Sequence, residues 1–410
     1  MTDVVVDSPR RFRNTEKMLA RSQPNWGTAE AAGLIDLYPN NGTDGRLTAG
    51  EHEFLNMSSY SYLGLNRHPA VIDGAIEALQ QERITGLGIT PTRMQPALMR
   101  EVEDQFSELW QANCYVALSC TVATAGLLPL ISSGALIDGE PRVTVFDKRS
   151  HFCMDVMKPV CADEAPVFSS PHNDMEYLED ICKKYPRVAY IADGAYSMGG
   201  VAKLDELLRL QDKYGLFLWF DDSHAISVVG ERGEGFVRSG LDELNPLTLI
   251  TGSLEKGFGC SGGIVMLGRR DKDVASLVNT FAGPMCWSQS MGLANLGSLR
   301  ACIGIHASPE LGKLQRQLQE NITLFDEMVP TGLQNSRLPV RAIAVGDTAL
   351  AVRLSTQLFE HGFYSAPVYF PITSQGREGL RIMIRADVGR ADMTKFCELL
   401  QELVLPHAIP

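Results

Sequence analysis

Lys256 stands alone among glycines in the stretch TGSLEKGFGCSGG at 251–263, directly after an apolar run at 247–250 and just before another at 263–267. Glycines let a backbone turn sharply and approach a ligand closely. A lysine shielded in such a turn can lose its proton and form a Schiff base with a carbonyl. Lys256 is therefore a candidate anchor for an aldehyde cofactor. A tight surface turn with a solvated lysine is the competing reading of this segment taken alone.

Asp221-Asp-Ser-His224 follows the apolar run at 216–220. A carboxylate at the end of a buried strand is costly unless it is paired, and a cationic heterocycle would pair Asp221. His224 would hydrogen-bond the same ligand or take part in proton transfer. A helix N-cap made by Asp222 or Ser223, with His224 satisfied in the core, accounts for the same residues. His151, just past the run at 142–146, would stack on an aromatic ligand or fill a loop. Ser119-Cys-Thr-Val122 marks a strand giving way to a helix, whose first N–H groups would hold a phosphate. Ser197 and Ser253 bring hydroxyls to the same region, and Arg381 would pin a carboxylate bidentately or close a structural ion pair. A Schiff-base lysine, an aspartate for a ring nitrogen, a histidine for the ring face, a helix N-terminus for a phosphate and an arginine for a carboxylate form one set. Together they meet the needs of pyridoxal 5'-phosphate acting on an amino acid.

Residues so far apart in sequence need a frame that collects them at one edge. Apolar runs at 114–118, 142–146, 188–192 and 216–220 read as strands, the last three ending at Asp147, Asp193 and Asp221, with helical patterns at 121–131 and 203–214 between them. Such near-continuous apolar runs suit strands covered on both faces. The expected fold class is α/β, a mostly parallel, doubly wound sheet in which ligands gather beyond the carboxyl ends of the strands. A short strand running into a Gly turn at 56–65 and amphipathic helices at 70–83 and 97–110 precede it. After 268, helices at 271–279, 289–305, 309–328, 349–360 and 391–404 and strands at 340–345 and 380–384 suggest a smaller C-terminal α/β domain. The expected division is an N-terminal arm at 1–55, rich in turn formers such as QPNWG at 23–27, a large domain at 56–295 and a small one at 296–410, with the boundary inside a helix near 290–305.

Composition narrows the function further. The 410 residues are 45% hydrophobic and 21% charged, ordinary for a soluble globular chain. A net charge of -12 opposes binding to nucleic acid or anionic membranes. The first residues, MTDVVVDSPRRFRN, lack the apolar core of a secretory signal, and no run is long enough to span a bilayer, so a cytoplasmic protein is expected. Nine scattered cysteines without a C-x-x-C pair suggest neither a disulfide framework nor a metal site.

The motifs can also be taken together: SSYSYLGL at 58–65 with His68-Pro69, Asp147 to His151, Tyr196-Ser-Met198, Asp221-Asp-Ser-His224, GSLEKGFG at 252–259 and Leu380-Arg381-Ile382. In these the chain resembles the α-oxoamine synthase family of fold-type I pyridoxal-phosphate-dependent transferases, from about Asn56 to the C-terminus. The resemblance implies that Lys256, His151 and His224 are catalytic, with Lys256 holding the cofactor and His151 stacking on its ring. It also implies that Asp221 meets the ring nitrogen, Ser197 and His224 the ring oxygen, and Ser253 with the backbone at Thr121 and Val122 the phosphate. Arg381 would bind the substrate carboxylate, with Tyr60 near it. The implied reaction joins an amino acid to an acyl thioester, acyl-CoA or acyl-carrier protein, with loss of CO2, in a homodimer or close heterodimer whose sites lie at the subunit interface. Transamination or other chemistry at Cα, or a non-catalytic subunit of a heterodimeric synthase, are the alternatives; such subunits typically lose the lysine that this chain keeps. Departures from the family leave the cofactor as expected and the acyl and amino substrates open. They are SCTVAT at 119–124, Tyr60 where many members have Asn, Met99 where a histidine is usual, and FAGPMCW at 281–287, which offers no clear match for the Ser/Thr that reaches the partner's phosphate. Glu255, beside the lysine, is expected to point away from the cofactor.

Overall fold

The computed structural model describes residues 15–43, 45–268 and 272–410, with the backbone alone at 272 and 273. The first fourteen residues and the expected helix start at Asp271 thus lie outside the described residues. The central sheet has seven strands: β1 (Asn113–Ala117), β2 (Val143–Asp147), β3 (Val167–Ser170), β4 (Val188–Asp193), β5 (Phe217–Asp221), β6 (Thr248–Ser253) and β7 (Gly263–Leu267). Their spatial order is β1-β7-β6-β5-β4-β2-β3. From β3 across to β6 the pairing is parallel, while β7 runs against both β6 and β1.

Alternate residues of a strand face opposite sides of the sheet. Here both sides are buried. Leu218 and Phe220 of β5 and Ile250 of β6 join one core, which continues into the C-terminal third. Phe217 and Trp219 of β5 with Leu249 of β6 join a second core under the Cys120–Ser132 helix. This is the doubly wound arrangement that the continuous apolar runs require. β3 escaped sequence reading because it is a four-residue edge strand, VFSS, with its middle positions partly open.

The stretch expected to be an arm carries its own elements. Thr15–Ala31 is helical straight through Pro24, its Trp26 ring edge-on to Tyr369 at 5.2 Å and its Ala29 fully buried beside Val352. Tertiary packing here overrides the local turn signal. Strands Asn40–Asn41, Leu47–Ala49 and His52–Asn56 follow, the last pairing in parallel with Phe363–Tyr364. The strand expected at 56–65 therefore ends at Asn56, and the chain beyond it turns toward the sheet edge.

A smaller antiparallel sheet comprises β8 (Val340–Ala344), β9 (Pro367–Val368) and β10 (Gly379–Met383), in the order β8-β10-β9. The helix Leu293–His306 runs across the boundary expected near 295. Among the described residues no helix is long and apolar enough to cross a membrane.

Candidate active site

One edge of the central sheet collects the polar residues. β2, β4, β5 and β6 end there at Asp147, Asp193, Asp221 and Ser253, and antiparallel β7 starts there, Gly263 paired with both Ser253 and Ala117. The Cys120–Ser132 helix begins on top of this point. A Cβ on Gly263 would stand 2.3 Å from the backbone N of Cys120, so only glycine lets the helix start so close to the sheet.

The loop from β6 to β7 presents Lys256. Leu254 N–H donates to the Gly262 carbonyl at 2.9 Å and Gly259, at φ +74°, donates to the Lys256 carbonyl at 3.1 Å, so the turn is closed by its own backbone. Lys256 is only partly exposed, whereas Glu255 beside it faces solvent. The turn thus partly shields the lysine, which disfavours the competing reading of a freely solvated surface residue. Gly257-Phe-Gly-Cys-Ser-Gly262 has the G-x-G-x-x-G spacing of a dinucleotide turn, yet it leads into a strand and offers no helix N-terminus to a pyrophosphate.

Lys256 Nζ lies 3.0 Å from His224 Nε2, and His224 Nδ1 lies 2.6 Å from the Tyr62 hydroxyl, which also sits 3.7 Å from Met383 Sδ. Both His224 and Tyr62 are buried. Burial first, then the charges of Lys256, Arg381 and His151, holds His224 well below the ordinary histidine range, so its ring is neutral. Tyr62 takes up one ring nitrogen and leaves the other facing the lysine.

Asp221 is buried at the end of β5. Its Oδ1 accepts the N–H of Ser223 at 3.0 Å and the hydroxyl of Ser223 at 2.5 Å, and Ser223 Oγ accepts the N–H of Ser253 at 2.7 Å. Its Oδ2 is met by the thiols of Cys120 and Cys153 at 3.5 and 3.7 Å. Asp222 points elsewhere, accepting the N–H of Val237 at 2.9 Å, and burial raises its carboxyl to about 7. The structural reading of this motif thus suits Asp222, while His224 faces the lysine and Asp221 meets Ser223 and the two thiols.

The other expected residues are placed as follows. His151 is exposed beside the site, its N–H held by Asp193 Oδ1 at 2.9 Å; desolvation lowers its pKa, opposed by Asp221 and assisted by Lys256 and Arg381. Burial, and then the nearby charge of Asp221, pushes Asp193 well above the ordinary carboxylate range. Thr121 is exposed at the start of its helix, whereas the Val122 N–H already donates to Ser119 Oγ at 3.1 Å as an N-cap. Ser253 Oγ accepts the Glu255 N–H at 3.3 Å. Ser197 is half-buried in the turn after β4, and no hydrogen bond ties its side chain to the other site residues among those described. Arg381 of β10 donates to the Tyr60 hydroxyl at 2.6 Å, and the Tyr60 ring lies 5.5 Å from the guanidinium and 5.4 Å from Lys256 Nζ. Arg381 Nε is buried without a hydrogen-bond partner among the described residues. Sequence reasoning missed Tyr62, Ser223, Asp193 and the two thiols. Tyr62, Ser223 and Cys120 lay inside motifs singled out there, though with no site role given to them.

Residues 52–400 match the aminotransferase class I and II family. The chain belongs to this family. A serine palmitoyltransferase of Bacteriovorax stolpii is 26% identical over 366 residues, covering 86% of this chain and 83% of the relative. An 8-amino-7-oxononanoate synthase of Coprothermobacter proteolyticus is 29% identical over 350 residues, covering 83% and 85%. The solved structure of Sphingomonas wittichii serine palmitoyltransferase has the same fold, with a TM-score of 0.81 at 19% identity over 94% of this chain and 98% of that one. The protein is a pyridoxal 5'-phosphate enzyme, a transferase of fold type I.

Its residues fit that cofactor. Asp221 Oδ2 is a buried carboxylate oxygen met only by weak thiol donors among the described residues, which suits a protonated ring nitrogen. The partnerless Arg381 Nε suits a carboxylate, and the shielded Lys256 suits an aldehyde.

Proposed function

We propose that the protein joins an amino acid to an acyl thioester, acyl-CoA or acyl-carrier protein, with loss of CO2, giving an α-aminoketone. The observation that carries this reading is the cluster of Lys256, neutral His224, Tyr60 and Arg381, which sets a proton-transfer group beside a carboxylate-binding group. The name of one relative, serine palmitoyltransferase, speaks of acyl transfer to an amino acid and supports the reaction class.

Lys256 would hold the cofactor, Asp221 would pair with its ring nitrogen, and His151 would lie against its ring. Ser197 and His224 would meet the ring oxygen. Ser253, Thr121 and Val122 would meet the phosphate, the Val122 N–H by exchanging its Ser119 cap for the ligand. Pyridoxal 5'-phosphate, when bound, supplies the electron sink that makes a Cα–H bond acidic. Arg381, braced by Tyr60, would orient the amino acid by its carboxylate. Lys256 Nζ would take the Cα proton and return a proton after the carboxylate leaves as CO2. His224, fixed by Tyr62, would steer Nζ through their shared hydrogen bond.

The reading extends to a homodimer, supported by exposed Phe152, Phe281 and Trp287, apolar groups of the kind a partner covers. It extends as well to a cytoplasmic setting, supported by nine free, buried cysteines. The test is to incubate the holoenzyme with a panel of amino acids, with and without an acyl thioester. One thiol and one CO2 should be released per turnover, and only when both substrates are present. A 2-oxo acid formed without thiol release would replace this reading with transamination.

A further inference from the structure

Cys120 opens the Cys120–Ser132 helix and Cys153 lies in the short Phe152–Asp155 helix, yet both thiols converge on Asp221 at the end of β5. The two sulfurs and Asp221 Oδ2 all lie within 4.8 Å of one another, with sulfur to oxygen distances of 3.5 and 3.7 Å. The three side chains are 7, 2 and 5% exposed. A tetrahedral zinc ion with Zn–S of about 2.3 Å and Zn–O of about 2.0 Å sets its sulfur and oxygen ligands about 3.5 Å apart and two sulfurs about 3.8 Å apart. The two sulfur–oxygen distances already match this spacing, and the sulfurs lie within 4.8 Å of each other. Its ligands come from three elements, so no linear pattern of the C-x-x-C kind announces it.

We propose that the protein without its cofactor binds one zinc-class divalent cation through Cys120, Cys153 and Asp221, with water as fourth ligand, and that cation and cofactor exclude one another. The exclusion rests on the reading that Asp221 pairs with the ring nitrogen of the cofactor. Asp221 Oδ1 is committed to the N–H and O–H of Ser223, so Oδ2 is the oxygen for which a ring cation and a metal ion would compete. Two thiolates select borderline-soft ions over Mg2+ and Ca2+, which prefer all-oxygen sites. Exposed Thr121 and exposed His151 flank the approach, next in sequence or nearly so to the two thiols. Each thiol gives its proton to solvent as its sulfur bonds the metal, two protons per cation, and no electron is transferred.

The test is titration of the full-length apoprotein with Co2+ as a coloured substitute for Zn2+. One equivalent should bind with a thiolate-to-cobalt absorption band that Zn2+ displaces. Cys120→Ser and Cys153→Ser should each weaken binding at least about tenfold, the scale on which even supporting residues of metal sites act, with wild-type circular dichroism. Should a serine variant not fold, calorimetry of wild type with Zn2+ in two buffers reads the same site through the release of two protons. Absence of a thiolate band, a band that survives both substitutions, or Zn2+ uptake without proton release overturns the site. Saturating Zn2+ should slow cofactor uptake at least tenfold. Should the thiolate site bind Co2+ and the cofactor still load at an unchanged rate with the cobalt retained, the exclusion fails, and the pairing of Asp221 with the ring nitrogen fails with it while the metal site stands.

Discussion

Lys256, His224 and Tyr62 form a line of hydrogen bonds at 3.0 and 2.6 Å, and each link can be cut separately. Lys256→Ala should abolish the visible absorption that borohydride removes from the wild-type holoenzyme, because no other amine would hold the aldehyde. Absorbance spectra before and after borohydride decide this, and a reducible band in the variant would end the assignment. Tyr62→Phe leaves His224 Nδ1 buried without its partner, which should cost roughly 1–3 kcal/mol of unfolding free energy, read from the urea midpoint at constant slope. Lys256, Asp221 and His224 stood out in the sequence because their chemistry is uncommon just past the ends of buried strands, and Arg381 because it is a cation inside the apolar strand β10. Tyr62 did not, since it meets His224 across 162 positions that no spacing rule connects. The two thiols on Asp221 were hidden for the same reason, 101 and 68 positions away.

At the scale of elements, legibility followed burial. β4, β5 and β6 are apolar on both faces and announce themselves as strands, whereas β3 is an edge strand and Thr15–Ala31 a helix with a proline inside it. In both missed elements the local pattern is weak, and contacts made by distant parts of the chain decide the outcome. The junction of β7 with the Cys120–Ser132 helix is the element-scale feature on which the site depends most. Gly263→Ala would drive a methyl group against the Cys120 and Ser119 backbone at 2.3 Å, which cannot move as a flexible side chain would. The expected cost is on the order of 1–3 kcal/mol, as for overpacking in a core, and the helix start must lift from the sheet. Thermal unfolding should report the first effect. A weaker retention of pyridoxal phosphate on dialysis should report the second, and unchanged retention would argue that the phosphate is held elsewhere.

For the molecule as a whole, the helix Leu293–His306 joins the C-terminal part to the site through its last residue. His306 is buried; its Nδ1–H donates to the Cys302 carbonyl at 2.9 Å, its Nε2 accepts from the Ser227 hydroxyl at 2.9 Å, and its ring stacks on Phe258, two residues past Lys256, at 4.3 Å. Burial lowers its pKa from the ordinary 6.5 to about 4, against a smaller upward effect of the Cys302 carbonyl. Between these values the unfolded chain binds a proton that the folded chain does not, so stability rises with pH there. The contribution is complete above pH 6.5 and is lost as pH falls toward 4, a span on the order of 3 kcal/mol. His306→Gln has no ring to protonate, so its unfolding free energy should fall less steeply than that of wild type from pH 6.5 to 4, even if the variant is less stable at neutral pH. Urea denaturation of both proteins across that interval gives the two slopes. Parallel slopes would move the acid sensitivity to other buried groups, with His224 the first to suspect, since burial shifts its titration in the same direction.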